Sequence, residues 1–262
     1  MKNKLSIVIV EYFSVDEILR CVDSISTHTG ISHEIIISSN SCYDDQKQKE
    51  IKELNPNIRW SFNEKNGGFA YAMNKGLSIA EGDYLVIMNS DCTINCDLSN
   101  MVTLMEKHPE IGAIAPQIRD AEDKIQDTAR PYVSLPRFVF RQINRVIFKK
   151  ESILNHGFDY QKVQTVDWVI GAFIMVSRKA YQLTHGLDEK FFMYAEDLDW
   201  CTRIRKAGLE VVYYPKLVIT YKGTRRARTN GAYAKIFLKS HFAYWRTFGF
   251  VGGYPVRKDI SF

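Results

Sequence analysis

Cysteine is scarce and poorly placed for a framework. The 262-residue chain has five, Cys21, Cys42, Cys92, Cys96 and Cys201, an odd number without a CxxC pair. That argues against a zinc site and against a disulfide-stapled secreted domain, and it points to reduced thiols in a cytosolic protein. Long apolar runs are missing too: nothing approaches the ~20 residues a membrane-spanning helix needs. The opening MKNKLSIVIVEYF is apolar only from Leu5 to Val10, with Glu11 next and no small-residue cleavage site, which is not a signal-peptide pattern. A cytoplasmic protein is expected. Charge of one sign is also limited. A net +5 suits anionic ligands or a membrane surface but is too weak to argue for nucleic acid. No internal repeat or low-complexity linker divides the chain, so one domain with decorations is expected.

What is present is alternation. Leu5–Val10 (LSIVIV) is a β-branched run suited to a strand buried on both faces. Val15, Ile18, Leu19, Val22 and Ile25 then recur at helical spacing over Val15–Ser26. Glu34–Ile37 and Ile58–Phe62 read as strands, with an exposed helix over Asp44–Leu54 between them that Pro56 ends. Asn66–Ala80 opens with a glycine turn and becomes a helix; Tyr84–Met88 is a fourth buried strand. Met101–Lys107 is helical and Ile111–Ala115 another strand. Farther on, Trp168–Val176 is one strand-like run, Ala195–Ala207 a helix and Leu209–Tyr213 a short strand. This order predicts an α/β sandwich around a mainly parallel sheet, with ligands beyond the carboxyl ends of the strands.

Two stretches break the regularity. Arg130–Lys150 (RPYVSLPRFVFRQINRVIFKK) repeats a basic residue every four positions at Arg137, Arg141, Arg145 and Lys149, with Phe138, Ile143, Val146 and Ile147 between. Ala232–Phe248 has a similar mixture. Cations that attract anionic headgroups and aromatics that settle at an interface fit a peripheral membrane contact. Ordinary helices covering the core explain the same residues.

Three stretches carry chemistry. Asp83–Thr93 (DYLVIMNSDCT) delivers Asn89 and Asp91 at a strand end, where two oxygen-bearing side chains can meet Mg²⁺ or Mn²⁺. A β-turn accounts for these residues equally. Asn66-Gly67-Gly68-Phe69 permits close backbone approach and leads into a helix start able to receive an anion. It is not GxGxxG, and the first strand ends in Glu11-Tyr12-Phe13 without glycine, which disfavours a dinucleotide-binding dehydrogenase. Phe191–Trp200 (FFMYAEDLDW) places Glu196, Asp197 and Asp199 after an apolar run. Acidic residues suit a helix start, and a catalytic base suits the same position.

In order and spacing, NGGFAYAMNKG, DYLVIMNSD, WVIGAFIMVSR and GLDEKFFMYAEDLDWCTRIRKAG resemble the inverting family 2 glycosyltransferases of the GT-A fold, particularly bacterial rhamnosyltransferase-like members. The resemblance runs from Leu5 to about Gly223. It implies a single Rossmann-like α/β/α sandwich over 1–225, with a nucleotide-sugar-binding half at 1–115 and an acceptor-binding half at 116–225. A C-terminal helical extension over 226–262 would pack on the same domain. By the same resemblance Asp197 is the general base, Glu196 orients the acceptor, and Asp91 binds a divalent cation (Mg²⁺ or Mn²⁺) bridging the donor diphosphate. Asn89, Asn66 and Gly67 would lie near the donor, and the Ser38–Ser41 stretch, with Ser38 and Asn40, would face nucleobase and ribose. Trp168 and Gly171 would line the sugar and acceptor pocket, although Trp168 also fits a core position. Asp199 is expected to pair with Arg203 one helical turn on.

The chain departs from the family pattern at three places. Ser38 stands where an acidic residue is usual, and Glu11 stands where Asn is common, so Glu11 is a candidate replacement acceptor for the base. Thr220 stands where many relatives carry His, leaving Lys222, Arg225 and Arg226 to supply charge to the diphosphate. The implied partners are a nucleotide-diphosphate sugar, best matched by dTDP-rhamnose, and a lipid-linked saccharide of a surface polysaccharide such as O-antigen or capsule. Competing readings are a UDP-hexose donor, an inactive sugar-nucleotide-binding protein, and a nucleotidyltransferase, for which the glycine-rich basic loop is missing.

Overall fold

The structure, a computed structural model, describes residues 4–147, 158–223 and 231–262. Strand β1 (Leu5–Glu11) leads through α1 (Val15–His28) to β2 (His33–Ser39), and α2 (Asp45–Leu54) to β3 (Ile58–Phe62). Next come α3 (Phe69–Ser78), β4 (Tyr84–Met88), β5 (Cys92–Ile94), α4 (Ser99–Lys107) and β6 (Ile111–Arg119). The remainder is β7 (Ala129–Arg130), α5 (Leu135–Ile147), β8 (Gln164–Thr165), β9 (Trp168–Val169), β10 (Phe173–Ser177), α6 (Arg178–Thr184), α7 (Glu196–Lys206), β11 (Glu210–Tyr221) and α8 (Gly231–Phe248).

Among the described residues one sheet runs β3-β2-β1-β4-β10-β6-β11-β5, with β8 also on β11, and β7 pairs with β9 in a separate ribbon. The β1–β2, β1–β4, β2–β3 and β6–β11 pairs are parallel, whereas β10 is antiparallel to both neighbours. The two-residue period of the strands fills both faces. Val8, Ile36, Leu85 and Ile87 join the layer holding α3 and α6 to α8, while Ile7, Ile9, Ile35, Ile37, Val86 and Met88 face α1 and α4.

Three expectations need correction. The Trp168–Val176 run is two strands, because the chain turns at Gly171 and the Ala172 carbonyl accepts from Asn89 N–H at the end of β4. β6 continues four residues past Ala115 through Pro116, beyond the two positions it shares with β10. β11 extends eight residues past Tyr213, because a register shift between Tyr214 and Val218 absorbs Pro215 without ending the strand. The proposed division at 115/116 falls inside β6, and the one at 225/226 lies outside the described residues. Helix α8 buries Tyr244, Trp245 and Phe248 in the same core as α7.

The NGGFAYAMNKG stretch shows why its residue types are needed. Gly76 lies so close to Val8 that a Cβ there would overlap it. Asn74 clasps Leu187, donating to its carbonyl at 2.7 Å and accepting its N–H at 2.9 Å. Gly68 adopts φ 91°, and the next N–H, of Phe69, donates to the Phe192 carbonyl at 2.7 Å. Helix α3 therefore fixes the chain just ahead of Glu196.

Candidate active site

The carboxyl ends of β1, β2, β3 and β4 carry one polar network. Glu11 is fully buried, and its carboxylate accepts from Ser14 N–H (2.8 Å), Ser39 Oγ (2.5 Å), Ser41 Oγ (2.9 Å) and Tyr43 Oη (3.2 Å). It ties the β1–α1 loop to the β2–α2 loop, and exposed Phe13 meets Tyr43 edge-on above it at 5.8 Å. Glu11 is thus an internal clamp and not a surface acceptor for a base. Ser38 is equally buried: its Oγ and the Asn40 Oδ1 accept from Asn63 Nδ2, each at 3.0 Å. Asn40 donates to the Gly68 carbonyl at 2.9 Å and to Asn66 Oδ1 at 3.3 Å. Exposed Asn66 also accepts Gly68 N–H, and Gly67 has no room for a Cβ beside Tyr71. Asn63 was missed from sequence; a lone Asn after a strand reads only as a turn residue.

Asn89, Ser90 and Asp91 follow β4, all partly exposed. Asn89 Nδ2 donates to Tyr221 Oη at 3.3 Å, Ser90 Oγ donates to Glu17 on α1, and Asp91 O accepts Lys222 N–H at 3.3 Å. Burial first, and then the Asp91 charge, pushes the Tyr221 hydroxyl far above its ordinary range. Thr220, expected next to the cation position, instead faces Asn95, whose Nδ2 donates to its Oγ1 at 3.2 Å. The β5–β11 register brings Tyr221 to Cys92, the residue after Asp91, so Tyr221 is the neighbour of that site. Arg225 and Arg226 lie outside the described residues.

The third part is the start of α7. Tyr194 and Ala195 both have left-handed backbone, at φ 69° and 63°, a strain typical of functional turns. They turn the chain so that Asp197 meets the β9–β10 turn. Gly171 N–H donates to Asp197 Oδ2 and Leu198 N–H to Oδ1, both at 2.8 Å, while the side chain stays partly open. Burial raises its pKa, and the opposing effects come from these N–H donors and from the charge of Arg130. Glu196 is buried, its Oε2 has no hydrogen-bond partner among the described residues, and burial followed by the Asp197 charge raises its pKa strongly. Asp199 is a different case. Its Oδ2 accepts from Arg203 Nε at 2.7 Å, and Arg203 also holds the carbonyls of Thr184 and Gly186.

Trp168 is buried at 5% exposure, and its Nε1 donates to the Pro131 carbonyl at 2.9 Å. Only its ring face borders the site, through the Arg130 guanidinium 5.2 Å above it. Arg130 itself was missed, since from sequence it merely begins the basic-aromatic stretch. The two-residue ribbon of β7 and β9 brings it to Trp168 by direct pairing.

These parts give two chemistries on one sheet edge. The Asp91 carboxylate follows β4, whose end is tied to the β9–β10 turn by Asn89 N–H on the Ala172 carbonyl, and the partly open Asp197 carboxylate is tied to the same turn by Gly171 N–H. The first suits a cation-bound anion, the second proton removal from a hydroxyl.

Comparison with known proteins gives the family. The chain is 24% identical over 271 residues to an N-acetylglucosaminyl-diphospho-decaprenol L-rhamnosyltransferase of Mycobacterium tuberculosis, covering 94% of this chain and 88% of the relative. It is 28% identical over 173 residues to the rhamnosyltransferase WbbL of Escherichia coli, covering 63% of this chain and 62% of that one. Among solved structures, GalNAc-T7 with UDP, GalNAc and Mn²⁺ matches with a TM-score of 0.64 at 16% identity. The mannosyltransferase PcManGT of Pyrobaculum calidifontis, with GDP-Man and Mn²⁺, matches at 0.62 and 17%. These two cover 84% and 94% of this chain, which spans only 44% and 65% of theirs, and they establish the GT-A fold. The profile of Glycosyl transferase family 2 matches residues 6–194, so the chain belongs to that family and is a glycosyltransferase.

Proposed function

We propose that this chain transfers L-rhamnose from dTDP-rhamnose, with inversion, to a hydroxyl of a saccharide carried on a lipid diphosphate, in the synthesis of a bacterial surface polysaccharide. The observation that carries the proposal is the Asp197 carboxylate, held at the helix start by Gly171 and Leu198 N–H groups yet partly open. Asp197 takes the proton of the acceptor hydroxyl as that oxygen bonds to the anomeric carbon. The anomeric bond to the diphosphate breaks on the opposite face, and the nucleoside diphosphate departs with the electron pair. Glu196, beside it, orients the acceptor. The rhamnosyltransferase names of two relatives support the choice of sugar, and the diphospho-decaprenol in one supports the choice of acceptor.

The residues at β4 fit a divalent cation held largely by its substrate. Among the described residues no three His, Cys, Asp or Glu side chains converge. One carboxylate at Asp91 is nevertheless what Mg²⁺ or Mn²⁺ requires when phosphate oxygens and water complete its shell. Bound there, the ion would neutralise charge on the departing diphosphate. Asn66, Gly67 and Asn89 would border the donor, with Ser38, Asn40 and Glu11 supporting the base-binding loops from within.

Contact with the membrane would be peripheral. No helix among the described residues is long and apolar enough to cross a bilayer. Helix α5 turns Val139, Phe140 and Ile143 to solvent, and α8 turns Leu238 and Phe242 outward between Lys235, Lys239 and Arg246. An apolar face edged by cations fits the anionic leaflet of a cytoplasmic membrane. Flotation with anionic vesicles tests this, and absence of binding sinks it.

The deciding experiment is a donor screen. dTDP-rhamnose, UDP-glucose, UDP-N-acetylglucosamine and GDP-mannose are each offered with Mg²⁺, Mn²⁺ or EDTA and a short-chain diphospho-N-acetylglucosamine acceptor. Rhamnosyl transfer abolished by Asp197→Asn is the expected result. Transfer from a UDP-hexose alone would replace the sugar assignment.

A further inference from the structure

We propose that Arg130 and Arg141, both anchored on the buried carboxylate of Asp127, form an anion seat for the phosphates of the lipid-diphosphate acceptor. This rests on the acceptor reading given above. Asp127 is 4% exposed, yet it faces two guanidinium groups: Arg130 Nε at 3.1 Å and Arg141 Nη2 at 3.6 Å. One buried carboxylate thereby holds two guanidinium groups at fixed positions. Burial alone would disfavour the Asp127 carboxylate, and the charges of Arg130 and Arg141 oppose that effect. His241 adds no charge. Burial, with both arginines nearby, pushes its pKa down to about 4.

The position of the pair gives it meaning. Arg130 is stacked over Trp168 and pairs with it in the ribbon, three residues before the Gly171 that holds Asp197, and its charge acts on that carboxylate. Arg141 lies on α5, the helix whose Val139, Phe140 and Ile143 face solvent. Both side chains remain reachable, at 29% and 53% exposure. From Asp197 outward the order is therefore carboxylate, arginine pair, apolar face. A lipid-diphosphate saccharide has the same order: reacting sugar, two phosphates, hydrocarbon. Planar guanidinium groups suit phosphate oxygens, and anchoring on Asp127 pre-orients them.

The test measures binding as well as turnover. The full chain is titrated calorimetrically with a short-chain alkyl diphospho-N-acetylglucosamine and with the matching alkyl N-acetylglucosaminide, which has no phosphate. Wild type should prefer the diphosphate compound, and Arg141→Gln should weaken that preference by about tenfold, the weight of one charge-assisted hydrogen bond. Arg130→Gln combined with Arg141→Gln should remove it, with dTDP affinity unchanged. Arg141 is half exposed, so the single variant decides the matter should the double variant not fold. A preference that persists in the variants overturns the seat, as does failure of wild type to bind the diphosphate compound. Loss of dTDP affinity in step would reassign the arginines to the donor. Loss of anionic-vesicle flotation with the preference intact would reassign them to phospholipid headgroups. Calorimetric preference without any sugar transfer would leave the seat standing and sink the proposed reaction.

Discussion

Gly171 and Asp197 are joined by a backbone hydrogen bond of 2.8 Å, and a Cβ on Gly171 would stand 3.3 Å from the Asp197 Cβ. The glycine is there for closeness: any side chain presses on the carboxylate it positions. Gly171→Ala should therefore displace Asp197 by a few tenths of an ångström. A shift of that kind is expected to lower kcat about tenfold or more while donor KM and melting temperature stay near wild type. Steady-state kinetics beside a thermal melt check this; an unchanged kcat would show that the contact does not position the base.

The neighbouring carboxyl makes a prediction about stability. Glu196 is buried with one oxygen lacking a hydrogen bond, and its pKa in the folded chain lies well above the ordinary 4.5. The native state thus binds a proton that the unfolded chain releases earlier, so stability is fully present below pH ~4.5 and falls as pH rises through the folded value. Glu196→Gln removes this dependence. Its melting temperature should exceed that of wild type at pH 8, with the difference fading toward pH 4.

Arg130 should set where activity begins on the acid side. Asp197 must be ionised to accept a proton, burial raises its pKa, and the Arg130 charge opposes that rise. Removing the charge moves the acidic limb of the kcat profile to higher pH. Arg130→Gln, assayed at saturating acceptor, should show that displacement, and Arg130→Lys should largely restore the wild-type limb. A profile unchanged in both variants would mean that the charge does not reach the base.

How much of this was legible beforehand depends on whether a residue's meaning is local. β3 and β4 were legible to the residue because an apolar/polar alternation (IRWSF) and a continuous apolar run (YLVIM), each bounded by polar residues, have few other solutions. β6 and β11 were cut short because Pro116 and Pro215 are strand breakers locally, whereas here bulged pairing accommodates Pro215. The acidic pair at Glu196 and Asp197 was legible as a motif, but its unequal environments were not, since those depend on the Gly171 N–H brought from 26 residues away. Thr220 was read in place of Tyr221 because adjacent strand residues point to opposite faces, and only the register with β5 says which one meets Asn89. Asp127 had no signal at all. It matters through Arg141, which helix α5 brings to it from 14 positions along the chain.

The β1 clamp yields a separate test. Glu11 accepts two serine hydroxyls, one tyrosine hydroxyl and one backbone N–H, from the end of β2 and from the β1–α1 and β2–α2 loops that carry Phe13 and Tyr43. Glu11→Gln replaces an acceptor oxygen by a donor, leaving hydroxyls buried without their partner. Urea denaturation should show a loss of about 2–3 kcal/mol, the scale of buried hydrogen bonds to a charged group. If the loops form the base-binding wall, donor KM should rise more than kcat falls.

Gly68 tests how the two halves of the site are joined. It sits at φ 91°, and a Cβ would overlap the carbonyl oxygen of Phe192, the backbone that leads into Glu196. The same carbonyl accepts Phe69 N–H at 2.7 Å, so a displaced Gly68 pulls away a hydrogen bond shared by the donor-side helix and the acceptor-side loop. Backbone cannot move aside as a flexible side chain does, and alanine is strained at this φ whatever the space. Gly68→Ala should lose roughly 2–4 kcal/mol of stability. It should also reduce kcat, because Tyr194 and Ala195 keep their left-handed turn only while the preceding loop is held. Asn74→Ala gives the comparison: it loosens the same loop at Leu187 without backbone strain. If Gly68→Ala destabilises the chain but kcat falls only in Asn74→Ala, the loop is held through Leu187 and the Phe192 contact is packing alone.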